Sequence, residues 1–311
     1  MATKKKSKTP AVRYLRYELT NSGTPGTETS HFIDLAKDLS RLNRRLYRQG
    51  RDYHVKRITI ISSNTPNSAP GAENRVSFST AGAGWVSQQA WQRGFKVWNA
   101  SQQRAARAVG NDISAKWRDF KVYLTDDMRT GTVLDPLDNG GNAANSGEWT
   151  YSQLVTPDGT TSSDAFYLHL LGDHNGGAGS RVSVGLVKSY GESRTTVDTD
   201  QPNVNSDVYD DPLVNVMDDG TVVDETLTLM ADENDNAPYQ TVNYPGDNGN
   251  LPKPQVVQDT TIVDGRAIVG GFTARCGLIE VEAKSSIASD VFSVLVELAS
   301  GSYRGISADV I

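Results

Sequence analysis

The amino-acid sequence predicts an all-β protein, an antiparallel β-sandwich or jelly roll with one or two helices in its N-terminal third. Three observations predict it. From Phe120 onward the chain is a succession of short runs rich in β-branched and aromatic residues. Links rich in Gly, Asn, Asp and Pro separate these runs, the pattern of a many-stranded sandwich. Only two stretches carry the 3.6-residue spacing of a helix, and both lie before residue 110. Several of the links exceed ten residues, long for a compact enzyme core.

In chain order, residues 1–11 form a basic, flexible arm with Lys4, Lys5, Lys6 and Lys8. Residues 12–20 alternate as a strand does, and 21–29 are turn-forming. Asp34–Gln49 reads as a helix, because Leu35, Leu39, Leu42 and Leu46 make one apolar stripe and Gly50 is a suitable stop. Tyr53–Ser62 and Arg75–Thr80 read as strands. Val86–Val109 is the second helix, with Trp91, Phe95, Trp98, Gln102 and Ala105 on one face and Gly110 at its end. An aromatic stripe at that spacing is read as core, with base stacking as the alternative. Further strands are expected at Phe120–Thr125, Thr150–Val155, Ala165–Leu171, Ser183–Tyr190, Pro212–Met217, Thr221–Met230, Thr260–Val263, Ala267–Glu282 and Val291–Leu298. No internal repeat or domain linker interrupts the series, so residues 12–311 are expected to form one domain.

The net charge of −6 conceals a division. Residues 1–130 hold 23 Lys and Arg against 10 Asp and Glu, whereas residues 131–311 hold 8 against 27. Such opposed halves imply two surfaces with different partners. The arginines concentrate around the first helix: Arg41, Arg44, Arg45, Arg48 and Arg51, with Lys56 and Arg57 close behind. Arg41, Arg44, Arg45, Arg48 and Arg51, together with Lys4, Lys5, Lys6, Lys8, Arg13 and Arg16, are the candidate nucleic-acid-binding residues, because clustered cations are the footprint of phosphate recognition. Tyr14, Tyr17, Tyr47 and Tyr53 lie near them in sequence and are read as core or interface aromatics, with base stacking as the alternative.

The only cysteine, Cys276, excludes an internal disulfide framework and is expected to be a buried, inert thiol on a strand. No apolar run reaches membrane-spanning length, and the basic N-terminus lacks the apolar segment of a secretion signal. HExxH, GxSxG and GxxxxGK[ST] patterns do not occur. Of the four histidines, His169 and His174 stand closest together, without the spacing of a metal or acid–base pair. Gly176–Gly179 precedes a strand, so it reads as a turn and not as a phosphate cradle. No cofactor and no catalytic residue is expected. The segment DENDNAP, 232–238, is similar to a cadherin calcium linker over seven residues only. It is read as a solvated acidic loop, with a Ca²⁺ ion on Asp232, Glu233 and Asp235 at a subunit contact as the alternative.

Three segments carry a wider resemblance. They are Asp34–Val55, containing LAKDLSRLNRRLYRQG; AWQRGFKVWN, 90–99; and GDHNGGAGSRVSVGLVKSYGESR, 172–194. In this order they resemble capsid proteins of small circular single-stranded DNA viruses that encode a replication initiator, particularly environmental and marine members. With the strands between them they span about half of the chain. The resemblance implies a single jelly roll that self-assembles into an icosahedral shell of sixty copies, packages circular single-stranded DNA and resides in the virion after assembly inside the host cell. It assigns the basic arm to the interior. Such relatives often have a long Arg-rich arm, whereas this tail has four lysines in its first eleven residues, so the arginines at 41–51 are expected to supply much of the cationic lining. RNA in place of DNA stays open, as do the receptor and the host compartment. A β-sandwich module that binds carbohydrate or protein is the alternative function.

Overall fold

A computed structural model describes residues 10–62, 74–110, 117–144, 147–155, 165–177, 180–195, 254–262 and 264–311. The chain is mostly β, with two principal sheets that are largely antiparallel. The first runs β1 (Tyr14–Thr20), β13 (Val291–Leu298), β3 (Arg51–Ser62) and β10 (Arg266–Val269), with β11 (Phe272–Ala274) and β15 (Ala308–Val310) also paired to β3. The second runs β5 (Thr132–Val133), β2 (Glu28–Asp34), β12 (Leu278–Lys284), β4 (Arg75–Thr80) and β9 (Gln255–Thr261). A third, small sheet holds β6 (Gln153–Val155), β7 (Ala165–His169) and β8 (Ser183–Gly185). A short strand β14 (Ser300–Tyr303) leads back toward β15.

Alternation explains how the two large sheets meet. In β1 every second residue is buried, so Leu15, Tyr17 and Leu19 point inward. They join Tyr53, Ile58 and Ile60 of β3, Phe292, Val294 and Val296 of β13, and Ile33, Phe78, Ile279 and Val281 of the second sheet in one buried cluster. Two sheets thus share one core, an arrangement compatible with a β-sandwich. The strand pairs are nested: β1 with β13, β2 with β12, β3 with β10, and β4 with β9. Residues 81–254 are inserted at the inner end of that nest, between β4 and β9. The inserted chain carries α2 (Trp85–Val109), α3 (Asp126–Thr130), the third sheet and α4 (Leu186–Thr195). Its core, including Trp91, Trp98, Phe120, Leu168 and Val187, reaches the second sheet through Phe32 and Leu278.

Several expectations need correction. The first helix, α1, covers only Leu35–Asn43. Arg44 adopts a left-handed conformation (φ 53°) and its N–H bonds Ser40 O, which ends the helix before Gly50. Ser40 Oγ then accepts the N–H of Tyr47 at 2.8 Å, and Tyr47 is fully buried with its hydroxyl on Arg304 O. Burying this ring outweighs continuing the helix. The strand expected over Ala267–Glu282 is broken into β10, β11 and β12. Gly271 lies too close to Val55 O for any side chain, and Cys276 and Gly277 take φ of 58° and 73° as the chain crosses between sheets. Cys276 is buried as expected, in a turn and not on a strand. Ser183–Tyr190 is a strand only to Gly185, and α4 begins at Leu186. Phe120–Thr125 is buried but bridges the third sheet only at Tyr123. The expected strands at 212–217 and 221–230 lie outside the described residues.

Gly50 has a packing role. A Cβ built there would lie 2.7 Å from Trp91 Cη2, and Trp91 is held by Phe95 and Phe120, with ring centroids 5.6 Å away in each case. Gly50→Ala is therefore expected to destabilise the fold by about 1–3 kcal/mol through overpacking. Urea denaturation of the purified variant measures it, and an unchanged midpoint would count against this contact.

Candidate nucleic-acid interface

The structure sorts the candidate arginines into two groups. Lys4, Lys5, Lys6 and Lys8 lie outside the described residues. Arg41 does not face solvent as expected. It is drawn inward to Asp135, which also takes Lys37 Nζ at 3.0 Å. Arg48 reaches Asp119 at 3.2 Å, and Arg51 lies 3.7 Å over the ring of Tyr303 while bonding Ala308 O. These three contacts tie the residues after β2 to the insert and the C-terminal strands, with the Arg48 side chain still half-exposed. Arg44 and Arg45 are exposed and, among the described residues, form no ion pair. Arg13 immediately precedes β1, and Arg16 projects from β1 beside Glu18, at 2.5 Å.

The aromatics follow the core reading. Tyr17, Tyr47 and Tyr53 are fully buried. Only Tyr14 is half-exposed, its hydroxyl 3.3 Å from Glu297.

Pleating brings a different set of cations together. On the outward face of the first sheet, Arg16 aligns with Leu295, Thr59 and Ile268 across four strands. In the next row Glu18 aligns with Ser293, Ile61 and Arg266. Lys56 and Arg57 are both exposed at an irregularity where β13 shifts register between Glu297 and Leu298. They converge on Glu297 at 2.7 and 2.5 Å, and these hydrogen bonds hold its carboxyl below the usual range. The face thus carries Arg16, Lys56, Arg57 and Arg266 against Glu18, Glu297 and, at the β15 end, Asp309 beside His54. The apolar side chains between them, Ile61, Ile268 and Leu295, are exposed by 51, 55 and 39%. Sequence reading noted Lys56 and Arg57 only as neighbours of the cluster and missed Arg266, which sits in the acidic half. The two-residue alternation of β10 was the available signal.

Behind α1 lies a buried polar seam. Asp34 caps the helix by accepting Lys37 N at 3.0 Å. Its other oxygen accepts Gln49 Nε2 at 2.8 Å and Trp149 Nε1 and Tyr151 OH, each at 3.1 Å. Gln49 in turn accepts Val122 N at 2.7 Å. One carboxylate therefore joins β2, α1, the residues after α1 and the insert. Beside it Asp38 accepts Tyr17 OH at 2.6 Å, while its Oδ1 has no hydrogen-bond partner. Burial pushes Asp38 up to about 7, with the Asp34 charge adding to the rise against Lys37, Tyr17 and Arg41.

Among the described residues no group of three or more His, Cys, Asp or Glu side chains is placed to hold a metal ion. Asp232, Glu233 and Asp235 lie outside them. His169 and His174 do not converge on a shared site: His169 bonds Asp173 O at 3.0 Å and His174 bonds Glu192 at 2.9 Å. No described helix is long and apolar enough to cross a membrane. No protein-family model, curated protein or solved structure matches the chain.

Proposed function

We propose that this chain is the repeating subunit of a viral shell, a single jelly roll that self-assembles and packages single-stranded nucleic acid. The nested pairing supports the jelly roll. Joining β1 to β13, β2 to β12, β3 to β10 and β4 to β9 makes one long hairpin. Rolling that hairpin gives the two four-strand orders β1-β13-β3-β10 and β2-β12-β4-β9, and eight strands in two such sheets are the jelly-roll pattern. A fold alone does not assign a function.

The observation that carries the function is where the basic arm joins the sandwich. The lysines of residues 1–11 run directly into β1, and β1 belongs to the sheet whose outward face bears Arg16, Lys56, Arg57 and Arg266. This face, next in sequence to the arm, is suited to a polyanion, with the half-buried Arg13 and the exposed Arg44 and Arg45 as further cations. The acidic residues of 198–235 fall in the insert, far along the chain from that side. Many copies of a modest basic surface suffice, because assembly multiplies weak contacts. The DNA preference, the sixty-copy icosahedral shell and the virion location follow from the resemblance of segments 34–55, 90–99 and 172–194. The role is structural and requires no catalysis.

Deleting residues 1–11 is expected to lower genome packaging more than shell formation. Density-gradient separation of empty and filled particles, with the absorbance ratio at 260 and 280 nm of each fraction, measures both. Unchanged packaging would remove the arm from the proposal. A wild-type protein that stays monomeric and binds a glycan would replace the proposal with a carbohydrate-binding module.

A further inference from the structure

The second helix, whose aromatic face is read from the sequence as core with base stacking as the alternative, has an outward side that the core does not use. Among the residues of α2, Val86, Ser87, Ala90, Trp91, Gly94 and Trp98 are buried. Beyond Trp98 the helix residues Asn99 to Val109 are all exposed or half-buried. The 25 residues include no Asp or Glu.

The four cations of α2 share one stripe. At about 100° per residue, Arg93, Lys96, Arg104 and Arg107 fall within roughly 80° of helix circumference, turned away from the buried aromatics. All four are exposed. Arg93 is partly engaged, bonding Ser193 Oγ at 3.0 Å over the ring of Tyr190. Among the described residues Lys96, Arg104 and Arg107 form no ion pair. From Arg93 to Arg107 the stripe extends about 21 Å at 1.5 Å per residue. Near mid-helix, Arg118 bonds Asn99 Oδ1 at 3.4 Å, and its neighbour Trp117 is 68% exposed.

We propose that this stripe is a second phosphate-binding surface, which seats the backbone of single-stranded nucleic acid separately from the N-terminal arm. The inference rests on the nucleic-acid-packaging reading and deepens it. A straight, acid-free row of cations matches a linear polyanion. Arginine suits phosphate because its planar guanidinium offers paired donors.

The test uses the full chain and a fluorescein-labelled thirty-residue oligothymidylate, with anisotropy titrations at several salt concentrations. Four proteins are compared: wild type, a chain lacking residues 1–11, the triple variant Lys96→Gln, Arg104→Gln, Arg107→Gln, and a charge-conserving triple variant. For single strands each neutralised phosphate contributes about 0.7 to the slope of log affinity against log salt. The triple variant is expected to have a slope shallower by about 2, in addition to the change from deleting the arm. A variant with Lys96→Arg, Arg104→Lys and Arg107→Lys should keep the wild-type slope, which separates charge from helix integrity. An unchanged slope in the glutamine variant, with a reduced slope in the arm deletion, overturns the inference and leaves the shell reading intact. Normal oligonucleotide binding combined with lost particle formation also overturns it, and gives the stripe to a second subunit. A wild-type protein that binds no oligonucleotide at low salt overturns both.

Discussion

Replacing Asp34 by alanine is expected to cost about 4 kcal/mol of folding free energy, because one carboxylate serves four donors away from water. Lys37 N, Gln49 Nε2, Trp149 Nε1 and Tyr151 OH all bond Asp34, which is fully buried. A buried donor stripped of its acceptor costs roughly 1–3 kcal/mol, and water entering the vacated space would recover part of that sum. The loss should also be local. Trp149 and Tyr151 belong to the insert, Gln49 follows α1, and Gln49 links onward to Val122. Limited proteolysis of the variant should therefore cleave first in the inserted residues, before the sandwich opens. Asn at this position should not rescue, since it leaves one acceptor oxygen and turns an NH₂ toward donors on the other side. Urea denaturation of wild type, Asp34→Ala and Asp34→Asn decides it. A loss below about 1 kcal/mol in the alanine variant would mean that the seam contributes little.

Asp34 also marks where sequence reading stopped. Its helix-capping position is a local pattern and was placed at the start of the first helix. Its partners at 149 and 151 are more than a hundred residues away, and no local periodicity points to them. The same division runs through the fold. The strands at Arg75–Thr80 and Val291–Leu298 have the bounds expected from their residues, and α2 begins one residue before its expected start. Each carries its own hydrophobic period. Strand β2 was missed because His31, Phe32, Ile33 and Asp34 are all buried, so the alternation that signals a strand is absent. The segment Ser183–Tyr190 has the β-branched content of a strand, but after Gly185 it packs as a helix: Leu186 and Val187 are buried with α2 and Phe120 in the insert core. Composition cannot separate Arg41 and Arg48 from Arg44 and Arg45. The first two are neutralised by acids 94 and 71 residues distant, whereas the last two form no ion pair among the described residues. The cation division by halves, in contrast, is readable in composition because it needs no tertiary contact.

Asp38 should lower stability as pH rises from about 4 to 7, while His31 and His169, which burial holds below the usual imidazole range, act in the opposite sense. In the unfolded chain the Asp38 carboxyl titrates near 3.8, whereas in the fold it titrates near 7 because burial penalises the charge. Within that window the unfolded state has lost the proton that the folded state retains. The folded state therefore binds more protons, and stability declines with pH. Below about 4 both states are protonated and the penalty vanishes; above about 7 both are charged and it stays constant. Oδ1 of Asp38 accepts no hydrogen bond and has Lys37 Nζ only at 3.8 Å, which fits a carboxyl that keeps its proton. Asp119 adds a smaller decline of the same sign, since burial raises it to about 6 despite Arg48 and leaves its Oδ2 unpartnered. An opposing carboxylate acts at more acid pH: the burial of Asp126 is outweighed by hydrogen bonds from Arg129, Ser183 and Asn175, which hold it near 2. Its contribution is lost only as pH drops through that value. Asp38→Asn cannot titrate, so its stability relative to wild type should rise between pH 4 and 8 by up to roughly 4 kcal/mol. Denaturation of both proteins at pH 4.5, 6 and 8 gives the difference directly. A difference that does not change with pH would mean that Asp38 is already charged in the folded protein, with Lys37 and Arg41 overcoming its burial.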